Sequence, residues 1–227
     1  LLKGMRCAIE RIILAIEKNE KIIIIGDYDV DGVVSCAILK LFFDHMGIDL
    51  ECIIPNRFED GYGITPNIIH RIKADLVITV DNGIVAHKAA FACKEKGIDL
   101  IITDHHIPQD ELPDAYCIIN PKQSDCSFPL KEICGAHIAW FLACAIKIEL
   151  KLDINMRSFL DLLSIAIIAD VMPLVELNRV FVKCGLKEFE KKNRISTQIL
   201  LDKLGKNEIS AEDISFFIAP RINSAGR

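Results

Sequence analysis

Apolar residues fall in short unbroken runs at Lys21–Ile25, Leu50–Ile54, Leu76–Val80, Leu100–Thr103 and Cys117–Ile119. Runs of this length, rich in Ile and Val and lacking polar alternation, predict strands buried on both faces. Helical periodicity fills the first three gaps, at Val33–Met46, Pro66–Lys73 and Ala86–Lys96. This alternation predicts an α/β fold, a parallel β-sheet of about five strands flanked by helices. After Gly135 the pattern becomes mainly helical, at Ala136–Leu150, Met156–Ala169, Asn178–Lys191, Thr197–Leu204 and Glu212–Ile218. Residues 1–134 therefore read as an α/β core and residues 135–227 as a helical part of the same domain. No internal repeat or low-complexity linker interrupts the chain, and only Asn193–Ser196 and Gly205–Ser210 suggest hinges.

Polar residues gather where the strands end. The first run leads into Asp27, Asp29 and Asp31, the third into Asp81-Asn82-Gly83, and the fourth into Asp104-His105-His106. Ligands of open α/β sheets bind beyond the carboxyl ends of the strands, so these clusters are expected to converge on one edge. The apolar helix Ile165–Ala169 adds Asp170. Any one Asp after a strand is readily explained as a helix cap. Three strand ends with such residues point to a shared cation, because carboxylates this crowded need one between them. The spacing Asp27-x-Asp29-x-Asp31-Gly32 also opens a calcium loop, but that loop needs a preceding helix and a glutamate at its twelfth position. Here a strand precedes it and the twelfth residue is Ile38. Carboxylates with a few imidazoles suit Mn2+ or Mg2+. Two such ions about 4 Å apart would activate water and stabilise in-line displacement at phosphorus. The chemistry alone reads as a two-metal phosphoester hydrolase.

Bulk properties narrow this only slightly. The chain of 227 residues is 51% hydrophobic and 26% charged, which fits a globular protein and not a disordered one. Its net charge of −5 does not advertise nucleic-acid binding, although metal-ligand carboxylates weigh on that figure. The nine cysteines include no C-x-x-C pair and lie mostly in apolar segments, as reduced thiols of a cytoplasmic protein would. No secretory signal or membrane-length apolar span appears. The chain starts on Leu1 and stops at Arg227, and is expected to be part of a longer protein.

The ordered clusters resemble the DHH phosphoesterase superfamily, whose namesake motif stands here as Asp104-His105-His106. Within it the likeness is to the RecJ-type exonucleases. It is carried by Gly26-Asp-Tyr-Asp-Val-Asp-Gly32, Pro55-Asn-Arg-Phe-Glu-Asp-Gly-Tyr-Gly63, Val80-Asp-Asn-Gly83, Ile168-Ala-Asp-Val-Met-Pro-Leu174 and Pro220-Arg-Ile-Asn-Ser-Ala-Gly-Arg227. The resemblance implies two Mn2+ ions, or Mg2+ in their place. Asp81 would bridge them, Asp29 would hold the first with Asp27 beside it, and Asp31, His105 and Asp170 would complete the second. His106 would stabilise charge or handle a proton at the scissile phosphate, and Asp104 would orient a histidine. Arg57, Arg221, Asn223 and Arg227 would bind substrate, with a turn-capping role as the alternative for Asn223.

Small-substrate relatives usually carry a histidine four residues before the first metal-binding Asp. Here that position is Ile25, and Asp27 appears instead, as in the RecJ-type enzymes. The implied activity is 5′→3′ hydrolysis of single-stranded DNA to 5′-mononucleotides in DNA repair and recombination. Single-strand-binding protein and a helicase are implied partners of the full-length protein, and no membrane is. A second DHH-associated domain and an oligonucleotide-binding fold are expected beyond residue 227, so residues 1–227 alone are expected to degrade DNA poorly. Two alternatives are a phosphodiesterase of short oligonucleotides or cyclic dinucleotides, and a metal-free nucleic-acid-binding scaffold. His137 stands where relatives usually have Gly and reads as structural, since it opens an apolar helix without an acidic neighbour.

Overall fold

Each of the five apolar runs forms a strand, because alternate side chains have a separate core to enter on either side of the sheet. In the first strand Ile22 and Ile24 join one apolar cluster, while Ile23 and Ile25 join another. The third and fourth strands split in the same way, Ile78 and Ile101 on one side and Val77 and Ile102 on the other. Each fully buried side chain of this kind stabilises the fold by roughly 1.5–3 kcal/mol. The computed structural model describes residues 1–225.

The strands are β1 (Ile22–Ile25), β2 (Glu51–Ile53), β3 (Leu76–Val80), β4 (Asp99–Thr103) and β5 (Cys117–Ile119). All neighbours pair in parallel, in the order β2-β1-β3-β4-β5. The order reverses between β1 and β3, which opens a crevice at their carboxyl ends. Helices α1 (Met5–Glu17), α2 (Val30–Asp44), α3 (Pro66–Arg71) and α4 (His87–Glu95) accompany the sheet. The C-terminal helices are α5 (Gly135–Glu149), α6 (Leu160–Ala169), α7 (Glu176–Glu190), α8 (Ile195–Leu204), α9 (Ala211–Asp213) and α10 (Ala219–Ala225). A π-helical turn, Ile214–Ile218, joins α9 to α10. Apolar side chains of α5, α6, α7, α8 and α10 belong to the same cluster as α2 and one face of the sheet. None of the helices of the described residues is long and apolar enough to cross a membrane.

Three differences from the sequence reading have physical causes. Helix α1 is absent from that reading, though its buried Met5, Ala8, Ile9, Ile12 and Ala15 follow the helical period. Helix α2 starts three residues before the predicted Val33, because Asp29 caps it and draws Asp31 into its first turn. The predicted helix Glu212–Ile218 instead divides into α9 and the π-turn, and α10 continues past Pro220.

His137 lies in the first turn of α5, wholly buried, with Nδ1 3.2 Å from the Cys134 backbone N–H. Nδ1 therefore accepts, and the ring is neutral. Burial, with the nearby His105 adding to it against an opposing contribution from Asn178, pushes its pKa down to about 3. The folded pKa lies below the unfolded value, so this stability is complete above about pH 6.5 and is lost as pH falls towards 3. Between pH 7 and pH 5, urea unfolding of the wild type is expected to lose roughly 2 kcal/mol more stability than His137→Gln. Equal losses would show that the imidazole is not held neutral.

Candidate metal centre

The chain turns sharply wherever a strand end must deliver a carboxylate into the crevice. After β3, Asp81 adopts φ 61°, a left-handed conformation that Asp tolerates better than most residues. Asn82 secures the turn: its amide donates to the Val80 and Ile25 carbonyls at 2.9 and 3.1 Å, and its carbonyl accepts from Ile64 N–H at 2.9 Å. One side chain thus ties β1, β3 and the segment before α3 together. After β1, Asp29 caps α2 by accepting from Gly32 N–H at 3.0 Å. Asp31, within the first turn, accepts from Gly135 and Ala136 N–H at 2.5 and 2.9 Å. The N-terminus of α5 therefore offers both its free N–H groups and its partial positive charge to Asp31.

Six of the predicted ligands come together. Donor atoms of Asp27, Asp29 and Asp81 lie within 4.8 Å of one another, and so do those of Asp31, His105 and Asp170. Asp81, His105 and His106 form a third such group. His105 Nε2 sits 3.1 Å from Asp81 Oδ1 and 3.7 Å from both Asp31 Oδ2 and Asp170 Oδ2. Asp81 and His105 thereby link the two donor sets.

Electrostatics report the strain of this convergence. Burial, then the charges of Asp31 and Asp29, hold Asp81 well above the usual carboxylate range. The same causes push Asp170 up to about 7. Burial and the neighbouring Asp29 push Asp27 up to about 6. Asp81 Oδ1, Asp170 Oδ2 and His105 Nδ1 are buried without a hydrogen-bond partner among the described residues. Buried carboxylate oxygens are rarely left so unless something else satisfies them. A divalent ion fits this donor set of several carboxylates and an imidazole.

His106 is half-exposed, and its Nδ1 lies 2.7 Å from Asp104 Oδ1. That contact, against the cost of burial, raises the His106 pKa. Burial alone would raise Asp104, but the His106 ring and the N–H groups of His106 and Ile84 bring it below its ordinary value. Asp104 orients and polarises His106.

The predicted substrate residues are more scattered. Arg57 is exposed, with its guanidinium 5.9 Å from the Tyr28 ring centroid. Arg221 is exposed on α10 and donates to the Phe217 carbonyl. Asn223 accepts from Val30 N–H at 3.1 Å, at the first turn of α2 and 193 residues away in the chain. Arg227 lies outside the described residues.

Several contributors were missed. Tyr28, between Asp27 and Asp29, packs edge-on against Tyr62 with centroids 6.1 Å apart, and Phe58 nearby in the chain is 85% exposed. Buried Asn120 donates to the His106 carbonyl at 2.9 Å. A Cβ on Gly135 would stand 2.6 Å from the Asp81 Cβ and 3.0 Å from Asp31 Oδ2. The aromatic residues adjoining the acidic and arginine motifs were the available signal for the first group. Asn120 directly follows β5 and so carried the strand-end signal, whereas nothing local in the sequence marks Gly135.

A family model, DHH family, N-terminal domain, matches residues 21–167. Single-stranded-DNA-specific exonuclease RecJ of Bacillus subtilis (strain 168) is 41% identical over 231 residues, an alignment covering 100% of this chain and 29% of that protein. A crystal structure of exonuclease RecJ bound to manganese superposes with a TM-score of 0.90 at 34% identity, covering 100% of this chain and 58% of that one. RecJ from Thermus thermophilus in complex with Mn2+ gives a TM-score of 0.83 at 32% identity, covering 99% of this chain and 33% of that one. The chain therefore spans well under two thirds of the length of the relatives it matches.

Two substitutions test whether the crevice is a metal centre. Asp81→Asn removes a crowded charge and retains a residue that accepts positive φ. The metal-free variant is expected to be more stable than wild type by about 1–2 kcal/mol, but to lose the rise in Tm that Mn2+ gives wild type. Gly135→Ala is expected to weaken Mn2+ affinity about 10- to 100-fold in calorimetry by displacing Asp81 or Asp31. Unchanged Mn2+ affinity in both variants would place the ion elsewhere.

Proposed function

The chain belongs to the DHH family, and on that premise we propose that it carries the catalytic site of a single-strand-specific 5′→3′ DNA exonuclease in repair and recombination. The observation that carries this reading is the pair of donor sets linked through Asp81 and His105 at the switch point of the sheet. Identity of 41% with a RecJ exonuclease, extending over the whole chain, favours DNA over a small substrate. Ile25 and Asp27 support the same choice, since small-substrate relatives usually carry His at the position of Ile25.

Two divalent ions, Mn2+ or Mg2+, would supply the activation of water and the neutralisation of phosphate charge. In this reading Asp27, Asp29 and Asp81 would hold one ion, and Asp31, His105 and Asp170, with Asp81, would hold the other. The remaining residues bind and orient the substrate. His106, held through Nδ1 by Asp104, keeps Nε2 for a phosphate oxygen and stabilises the negative charge that grows there. Arg57 pairs with a phosphate, while Tyr28, Tyr62 and Phe58 offer stacking faces that a single-stranded end can use and a closed duplex cannot. Arg221 and Arg227 are reserved for phosphates further along the strand.

The longer relatives suggest that sequence outside the matched span contributes to holding the strand, so turnover by residues 1–227 alone is expected to be weak. Single-strand-binding protein and a helicase would act through the longer protein.

With Mn2+ present, a 5′-phosphorylated single strand is expected to release 5′-mononucleotides, while blunt duplex stays intact. Asp81→Ala should lower the rate about 100- to 1,000-fold or more, starting from the loss seen when one essential electrostatic element is removed. Product analysis against dinucleotides and cyclic dinucleotides checks the substrate class. Faster turnover of the small substrates would overturn the exonuclease assignment.

A further inference from the structure

Each helix begins with backbone N–H groups that have no partner within the helix, and in α2 these donors lie among the metal-binding aspartates. Asp29 Oδ1 accepts from Gly32 N–H at 3.0 Å, and the Asp29 carbonyl accepts from Val33 N–H at 3.0 Å. The N–H of Val30, which stands between Asp29 and Asp31, has neither of these. Its partner is Asn223, which accepts at 3.1 Å from 193 residues further along the chain. Val30 is 2% exposed, so water is a poor substitute. Only the amide oxygen can accept a proton, so the chemistry also fixes the orientation of the Asn223 side chain.

The surrounding fold explains how α10 reaches this point. Pro220 has no N–H to give to the preceding turn. The wider π-turn at Ile214–Ile218 comes immediately before it and resets the phase of α10. Ile218 and Ala219 enter the core, whereas Phe216 and Phe217 are left outside. Asn223 lies one turn beyond Ala219 on the same face, directed at α2. Arg221, on another face, is exposed. One short helix thus presents an amide to the metal loop and a guanidinium to solvent.

We propose that Asn223 is a positioning residue for the metal centre, locking the first turn of α2 so that Asp29 and Asp31 keep their separation, and is not a substrate contact. The proposal rests on the metal-centre reading above. It assigns part of the C-terminal motif to the assembly of the ion site, leaving phosphate binding to its arginines. Formation of that site then depends on α10 being docked.

Calorimetric titration with Mn2+, without DNA, tests this directly in wild type, Asn223→Ala and Asn223→Asp. Asn223→Ala is expected to bind Mn2+ about 10- to 100-fold more weakly, the range for losing an outer partner of a metal ligand. Asn223→Asp keeps an acceptor oxygen and is expected to return to within a few-fold of wild type. At saturating Mn2+, the KM of Asn223→Ala for single-stranded DNA should match wild type. Unchanged Mn2+ affinity in Asn223→Ala together with a raised KM would overturn the proposal and make Asn223 a substrate contact. Equal loss in the Ala and Asp variants would also overturn it, since the acceptor would then be irrelevant. If wild type itself binds no Mn2+, the metal-centre reading fails and takes this proposal with it. Metal binding without DNA cleavage would fault only the assignment of substrate.

Discussion

Carboxylate repulsion at the switch point of the sheet is the constraint around which this molecule is organised. Two like charges 4 Å apart cost about 4 kcal/mol at an effective dielectric near 20, and here several converge in a buried crevice. The fold offsets part of that cost internally. The start of α5 takes both oxygens of Asp31, the start of α2 holds Asp29, and Asp104 is matched by His106 and backbone donors. Asp81 Oδ1 and Asp170 Oδ2 keep no hydrogen-bond partner among the described residues, although His105 Nε2 stands near both. The uncompensated part is a reservoir that binding of divalent ions can discharge, which is how a site gains affinity at the expense of stability.

The packing around the crevice follows from that need. Helices can donate to a carboxylate only if their backbones approach it closely, and a side chain at Gly135 would collide with both Asp81 and Asp31. Gly32 is similarly close to the backbone of Asp27. Asn82 joins three segments around the left-handed turn at Asp81, whose own N–H donates to the Thr103 carbonyl at 3.0 Å. Asp170 directly follows α6, which packs on α2 and carries this C-cap residue to the crevice. Several segments distant in the chain therefore serve one small volume, and none could hold a divalent ion alone.

Charge balance also bears on the substrate. A chain with net charge −5 is an unpromising partner for a polyanion. Divalent ions bound in the crevice would reverse the field there for the proposed substrate, while Arg57 and Arg221 are exposed on separate segments. In the proposed exonuclease reading, stacking on Tyr28, Tyr62 and Phe58 would supply part of the affinity for an extended strand.

Much of this was legible in the chain. The strands at Leu76–Val80 and Cys117–Ile119 have the predicted limits, and the fold class follows from their alternation with helices. The aspartates and histidines at strand ends were legible because a parallel sheet brings all such ends to one edge. Helix limits were less so: the start of α2 depends on the Asp29 cap, and the division at Ile214–Ile218 depends on a π-turn before Pro220. Periodicity determined the elements and which edge would hold the chemistry, because those are properties of neighbouring residues. Only the tertiary structure decided that α5 would cradle Asp31, that Gly135 must lack a side chain, and that Asn223 would reach Val30. Those contacts join residues about 50 to 200 positions apart, and packing, not local pattern, sets the distance between them.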